Sequence, residues 1–200
     1  MMHLTDLTGL AGCTLAIIVV LLHMPGVARL PGRVRAAWAV AAAILLVIPV
    51  GGLPAAAYVR GVLGDLSITT LGLLVHGLLR PLHGWVQPAP RERPALLALV
   101  VAAAVFLYPM ALGWGYFDPY RLGYGDPWML GGLWALALLA WAVRAQMLAA
   151  CLALVVTAWN LGWYESTNLW DYLLDAPLAL YALGSLLRLG LHRLAQFRRA

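Results

Sequence analysis

Seven long apolar segments divide this chain, separated by short stretches rich in Arg, Gly, Pro and aromatic residues. A helix needs about 20 apolar residues to cross the hydrocarbon core of a bilayer. With 64% apolar and 10% charged residues, a water-soluble fold would lack the polar side chains needed to cover its surface. The sequence therefore predicts an all-α integral membrane protein, with residues 1–200 forming one polytopic transmembrane domain. The predicted spans are 7–23, 36–59, 66–79, 94–112, 128–143, 145–163 and 169–191.

The third apolar segment is the shortest of the seven. Its length covers only roughly 21 Å of a ~30 Å hydrocarbon core, at about 1.5 Å per residue. It must therefore either include residues 62–65 or enter the membrane and return on the same side. A bundle of six transmembrane helices is the alternative.

The arginines predict the orientation of the bundle. If alternate ends of seven spans are counted, 11 of the 13 basic residues fall on one side, and the positive-inside rule makes that side cytoplasmic. The N-terminus is then extracytoplasmic and the C-terminus cytoplasmic, in a bacterial inner membrane. Arg60 and Arg121 face outward, together with every acidic residue except Glu92. The inward arginines are Arg29, Arg33, Arg35, Arg80, Arg91, Arg93, Arg144, Arg188, Arg193, Arg198 and Arg199.

Several classes of function are excluded by composition. The chain contains no Lys, which removes retinal Schiff bases, pyridoxal phosphate aldimines and Walker A loops. The net charge of +5 comes from arginines scattered among apolar segments rather than from a basic stripe, so no nucleic-acid partner is predicted. Cys13 and Cys151 each lie inside an apolar segment and are expected to be buried thiols.

Two predicted extracytoplasmic loops share one composition of aromatic and acidic residues. In the first, residues 115–120 are repeated as residues 123–128, each copy containing Asp-Pro. The second, 159–175, interleaves Trp and Tyr with carboxylates and amides. Rings of this kind stack on sugars or cations, and carboxylates accept hydrogen bonds from hydroxyl or ammonium groups. The predicted ligand-binding residues are Trp114, Tyr116, Asp118, Tyr120, Arg121, Tyr124, Asp126, Trp128, Trp163, Glu165, Asn168, Trp170, Asp171 and Asp175.

Structural explanations compete with this interpretation. Asp126 can cap the fifth span with Pro127 at its first helical position, Asp118 can start a turn, and the aromatic residues can form an interfacial belt. Asp171 and Asp175 point more strongly to a ligand. They are four residues apart and would share one helix face, where a cation, a proton or Arg121 must relieve their repulsion. We expect the two loops to converge around this pair.

Helix-breaking residues also gather on the outward side. The second segment contains Pro49, Gly51, Gly52 and Pro54, and Pro109 ends the fourth. Backbone groups freed by such breaks must be covered by protein or by a watery cavity, so these residues are expected to line an outward recess.

No cofactor or metal is predicted, because the histidines lack the spacing of a metal motif. His76, inside the third span, is the best placed for a haem ligand, and a small haem-binding redox protein is one alternative. No catalytic signature is present, and binding is favoured over catalysis. The sequence predicts a recess for a polar or cationic ligand in a small transporter or a non-catalytic partner of an envelope enzyme. The expected partners are the lipid bilayer and either a membrane protein or a second copy; a scaffold subunit is the other alternative.

Overall fold

A computed structural model describes residues 4–83 and 92–197 of the chain, and within them the fold is all-α, as predicted. One 3-10 helix and one short hairpin, with two residues in each strand, accompany the α-helices. The elements are α1 (Leu4–His23), α2 (Pro25–Ala28), α3 (Gly32–Val47), β1 (Pro49–Val50), β2 (Leu53–Pro54), α4 (Ala55–Leu63), α5 (Ile68–His83), α6 (Glu92–Ala111), the 3-10 helix (Pro119–Gly123), α7 (Pro127–Ala142), α8 (Gln146–Asn160), α9 (Leu169–Leu173) and α10 (Ala176–Phe197).

Two of the described helices are long and apolar enough to cross a membrane. They are Thr5–His23 in α1 and Glu92–Ala111, which is α6. Ile68–Leu78, Pro127–Ala142 and Gln146–Asn160 are apolar but shorter. The number of spans therefore stays a prediction. Arg91, Arg198, Arg199 and His3 lie outside the described residues.

The second predicted span, 36–59, is broken as its sequence indicated, but it does not line a recess. β1 and β2 pair antiparallel, and Gly51 and Gly52 form the turn with φ of 61° and 91°. The predicted non-helical backbone is thus confirmed. The recess expected at these breaks is not found, because Pro49, Gly51 and Gly52 are exposed and neither they nor Pro54 line either cavity described below.

The last predicted span, 169–191, is also broken, which the sequence analysis missed. α9 ends at Leu173, and the backbone of Leu174 is extended (φ −144°, ψ 137°) before α10 begins at Ala176. Pro177 explains the break, since a proline inside a continuous helix removes one hydrogen bond and clashes with the preceding turn. Asp171 and Asp175 therefore do not share a helix face, contrary to expectation.

α9 lies between two hydrophobic clusters. On one side Trp170 packs with α6 and α10 residues such as Val100 and Leu178. On the other side, fully buried Leu169 and Tyr172 pack with α5 and α8. The five-residue helix α9 thus joins the two hydrophobic clusters. Its position determines the shape of this end of the helix bundle.

Contacts between distant segments gather acidic residues at that end. The Tyr164 hydroxyl donates to the carbonyl of Leu66 at 2.6 Å, which joins the segment after α8 to the start of α5. Asp175 accepts from the amide of Ser67 at 2.8 Å. We call this region, which contains Asp6, Asp65, Asp171 and Asp175, the acidic end.

An arginine clamp closes one side of the acidic end. Arg60 donates to both carboxylate oxygens of Asp65, at 2.6 and 3.1 Å, and to Asp6 at 3.0 Å. The clamp joins α4 to α1 across Gly9, where an added Cβ would lie 2.1 Å from Asp65 Oδ1 and 2.4 Å from Arg60 Nε. Gly9 thus makes room for this ion pair, and Gly12, three residues later on α1, lies against Leu71 of α5.

We predict that Gly9→Ala will destabilise the protein by about 1–3 kcal/mol, the usual cost of forcing extra atoms into a packed site. Gly61→Ala is the matched control, because this helical glycine has open space around it. Alanine has a greater helix propensity than glycine, so Gly61→Ala should stabilise the protein by up to about 1 kcal/mol. Thermal unfolding in detergent measures both variants. Equal stability of the two would contradict the close packing at Gly9.

Candidate functional site

A recess of about 430 Å³ opens at the acidic end. Its walls come from the end of α6, the 3-10 helix, the turn before α5 and the segment that contains α9. Three carboxylates, three phenols and one serine hydroxyl contribute its polar side chains. The lining residues are Asp65, Leu107, Tyr108, Ala111, Tyr120, Tyr164, Ser166, Asp171, Leu174, Asp175 and Ala176.

Asp171 lies half-buried in the wall, held by hydroxyl donors. The Tyr120 hydroxyl lies 3.1 and 3.0 Å from its two oxygens, and Ser166 Oγ donates to Oδ2 at 2.5 Å. Both donors are neutral, so the negative charge of Asp171 is solvated but not cancelled.

Asp175 is the most buried acid of the recess, at 8% exposure. It accepts hydrogen bonds from the amides of Ser67 at 2.8 Å and Leu178 at 2.6 Å, and from the Thr70 hydroxyl. Ser67 directly precedes α5, and Thr70 and Leu178 belong to the first turns of α5 and α10, whose helix dipoles favour a negative charge there. These donors stabilise the charge of Asp175 without Arg121, which was expected, beside a cation or a proton, as one of its possible partners.

Asp65 is the one acid of the recess that an arginine neutralises, through the Arg60 clamp. Asp171 and Asp175 have no ion pair with a described arginine. The recess is therefore negative in total.

Two phenols of the recess, those of Tyr120 and Tyr164, stay neutral. Burial, and then the nearby Asp171, raises the pKa of Tyr120 above its ordinary value. Burial, and then Asp65, does the same to the pKa of Tyr164.

The two predicted loops are in contact, but through different atoms than expected. Asn168 Nδ2 donates to the carbonyl of Tyr120, and Trp170 Nε1 donates to the carbonyl of Pro119, each at 2.9 Å. Gly123 makes this junction possible, because an added Cβ would lie 1.8 Å from Asn168 Oδ1. Arg121 is exposed and forms no ion pair with a described acid, so the expected arginine bridge to Asp171 and Asp175 is wrong.

The repeated Asp-Pro sequence has a structural role. Asp118 accepts from the amide of Tyr120 at the start of the 3-10 helix. Asp126 accepts from the amides of Trp128 and Met129 at the start of α7. Each proline follows its capping residue directly, as expected of a helix start. The structural explanation of both aspartates is confirmed.

Of the 14 residues predicted from the sequence, Tyr120, Asp171 and Asp175 line the recess. Asn168 and Trp170 form the junction behind it. Trp163 lines a different groove, between α5 and α8. The rest lie outside the recess walls, mostly exposed: Trp114, Tyr116, Asp118, Arg121, Tyr124, Asp126, Trp128 and Glu165.

Several recess residues were missed by the sequence analysis. Asp65 was counted only as an outward acid, and Tyr108 was overlooked beside Pro109. Tyr164 and Ser166 stand in the second loop among more conspicuous neighbours. The missing signal was the break before α10, since residues on both sides of it line one recess with Tyr108 of α6.

The described residues contain no group of three or more His, Cys, Asp and Glu side chains arranged to hold a metal ion. Comparisons with protein-family models, curated proteins and solved structures find no match to this chain. Its function must therefore be inferred from its own residues.

We predict that Gly123→Ala will separate the 3-10 helix from α9 and destabilise the protein by about 1–3 kcal/mol. Gly115→Ala is the matched control, since Gly115 occupies the same position in the first copy of the repeat and has no neighbour within 4 Å. It should change stability by less than about 0.5 kcal/mol, as surface substitutions usually do. Thermal unfolding followed by Trp fluorescence measures both variants, and equal losses would contradict the junction.

Proposed function

We propose that this chain is a multi-pass protein of the bacterial inner membrane whose acidic recess opens to the extracytoplasmic side and binds a small polar cation. Seven spans, an outward N-terminus and an inward C-terminus complete the proposal. Two apolar helices of sufficient length and the concentration of arginines in the predicted inward loops support the membrane location.

The observation that carries the proposal is the excess of carboxylates in the recess. Asp65, Asp171 and Asp175 line it, and within the described residues only Asp65 is paired with an arginine. Low dielectric surroundings strengthen the attraction of such groups for a positive charge. An ammonium group can replace water at Asp171 while the ring faces of Tyr108, Tyr120 or Tyr164 contact its alkyl groups.

The size of the recess limits the ligand. A volume of about 430 Å³ lies in the lower part of the range found for small-molecule sites. It fits an amine-bearing solute, one amino sugar of an envelope glycan, or a cationic lipid headgroup. The chain would act as a small transporter of such a compound or as a non-catalytic partner that presents it to an envelope enzyme.

A scaffold subunit is the second proposal, and the aromatic residues outside the recess support it. Trp114, Tyr116 and Trp128 have exposed fractions of 81%, 113% and 88%. Large aromatic side chains are enriched at protein interfaces as well as at membrane interfaces. This surface could contact a membrane protein partner or a second copy of the chain.

Ligand binding is tested with Asp171→Asn, which removes the charge and keeps an acceptor for Tyr120. We expect tetramethylammonium and ethanolamine to raise the melting temperature of the unmodified protein in detergent, and sucrose at equal concentration not to. Asp171→Asn should weaken this effect at least about tenfold in apparent Kd, the result of losing one partly buried charge contact. Asp118→Asn is the control, because this acid is exposed outside the recess. Equal effects in both variants would contradict the proposed site.

The orientation is tested by cysteine labelling in intact cells. Gly115→Cys lies in the predicted outward loop between the fourth and fifth spans and Gly26→Cys in the first predicted inward loop, and neither glycine has a neighbour within 4 Å. The native Cys13 and Cys151 are buried. An impermeant maleimide should label position 115 and not position 26. The reverse pattern would overturn the orientation, and labelling of both would overturn the membrane location.

A further inference from the structure

A second cavity lies apart from the recess, in a groove of about 760 Å³ between α5 and α8. Its walls are mainly apolar and include Leu71, Val75 and Leu154. Three of the polar lining residues, Glu92, Arg144 and Gln146, lie at the start of α8, where Glu92 accepts from the amide of Met147. The groove is thus a long apolar trough with a charged end.

The backbone of Arg144 at this charged end is unusual. With φ of 62°, it is the only non-glycine residue with positive φ in the described part of the chain. Its amide donates to the carbonyl of Trp141, and the next amide, of Ala145, donates to the carbonyl of Ala140. This is the hydrogen-bond pattern of a Schellman helix end, whose left-handed position is normally occupied by glycine.

Two other helices of the same chain end in this way with glycine. Gly113 after α6 and Gly162 after α8 have φ of 92° and 60° and make the corresponding hydrogen bonds. A side chain in the left-handed region raises the free energy of the fold, and strained residues that persist are often functional. The arginine after α7 is therefore unfavourable for the helix end itself, which indicates that its side chain has another role.

We propose that the groove holds one acyl chain of a phospholipid and that Arg144 binds the phosphate of this lipid. The part of α8 that lines the groove, Gln146 to Leu161, is ~22 Å long. One leaflet of the hydrocarbon core is ~15 Å thick, so the trough accommodates a full acyl chain. A guanidinium binds phosphate through paired charge-assisted hydrogen bonds.

Glu92 lines the same end of the groove. One of its carboxylate oxygens accepts from the amide of Met147 at 2.6 Å, so this acid is held beside the start of α8. This inference rests on the proposed membrane location but not on the acidic recess.

The test compares dioleoyl phosphatidylethanolamine with dioleoylglycerol, which has the same chains and no phosphate. Purified, delipidated protein is incubated with each lipid, and the bound fraction is read by native mass spectrometry. We expect one bound phosphatidylethanolamine and little dioleoylglycerol. Arg144→Gly should reduce the bound phospholipid at least about tenfold, the effect of losing a charge-assisted hydrogen bond. Because glycine suits the left-handed backbone, the same variant should melt at the same or a higher temperature.

Two further variants separate a specific site from general attraction. Arg144→Lys keeps the positive charge but loses the paired hydrogen bonds, so it should bind less phospholipid than the unmodified protein and more than Arg144→Gly. Arg193→Ala removes an exposed arginine of α10 that does not line the groove, and it should bind lipid as the unmodified protein does. Equal binding of dioleoylglycerol, or unchanged phospholipid binding by Arg144→Gly, would overturn the inference. Ammonium binding at the recess would be unaffected by either result, so the two proposals can fail separately.

Discussion

A single buried carboxylate, that of Asp175, determines the arrangement of the acidic end. It joins the first turns of α5 and α10 by accepting hydrogen bonds from the amides of Ser67 and Leu178 and from Thr70. Removal of this acceptor would leave donors of two helix starts unsatisfied in a buried place, which is more costly than the loss of an exposed hydrogen bond. The positive ends of the two helices replace a counterion, so a charge can be buried here and still contribute to the potential of the recess.

The position of α9 follows from that connection. Because the chain leaves α9 at Leu173 and begins a new helix, α10, at Ala176, the five-residue α9 can turn inward, where Leu169 and Tyr172 are fully buried. Its polar residue Asp171 is then left facing the cavity beneath it. A continuous helix would have carried Asp171 along the surface of the bundle. The recess therefore results from one interrupted helix rather than from the loops that cover it.

The sequence predicts helix class and most helix positions well, since long apolar segments and Asp-Pro starts are local signals. The all-α fold and the caps at Asp118 and Asp126 are confirmed for this reason. The break at Asp175 had a local signal too, because Pro177 follows at the second helical position, but the apolar residues around it concealed the signal. The contacts of Asp65 and Tyr108 with the recess could not be predicted, because they depend on how segments far apart in sequence pack.

α7 and α8 are short helices, and their length has a consequence for the proposed membrane arrangement. α7 has 16 residues and α8 has 15, so they extend only ~24 and ~22 Å. In the proposed seven-span arrangement, a bilayer core of ~30 Å would become thinner along this flank or draw polar headgroups inward, because hydrophobic mismatch is relieved by deformation of the lipid. Water and counterions would then reach deeper beside these helices than beside α1 and α6. A charged solute leaving the recess along this flank would have a shorter apolar distance to cross.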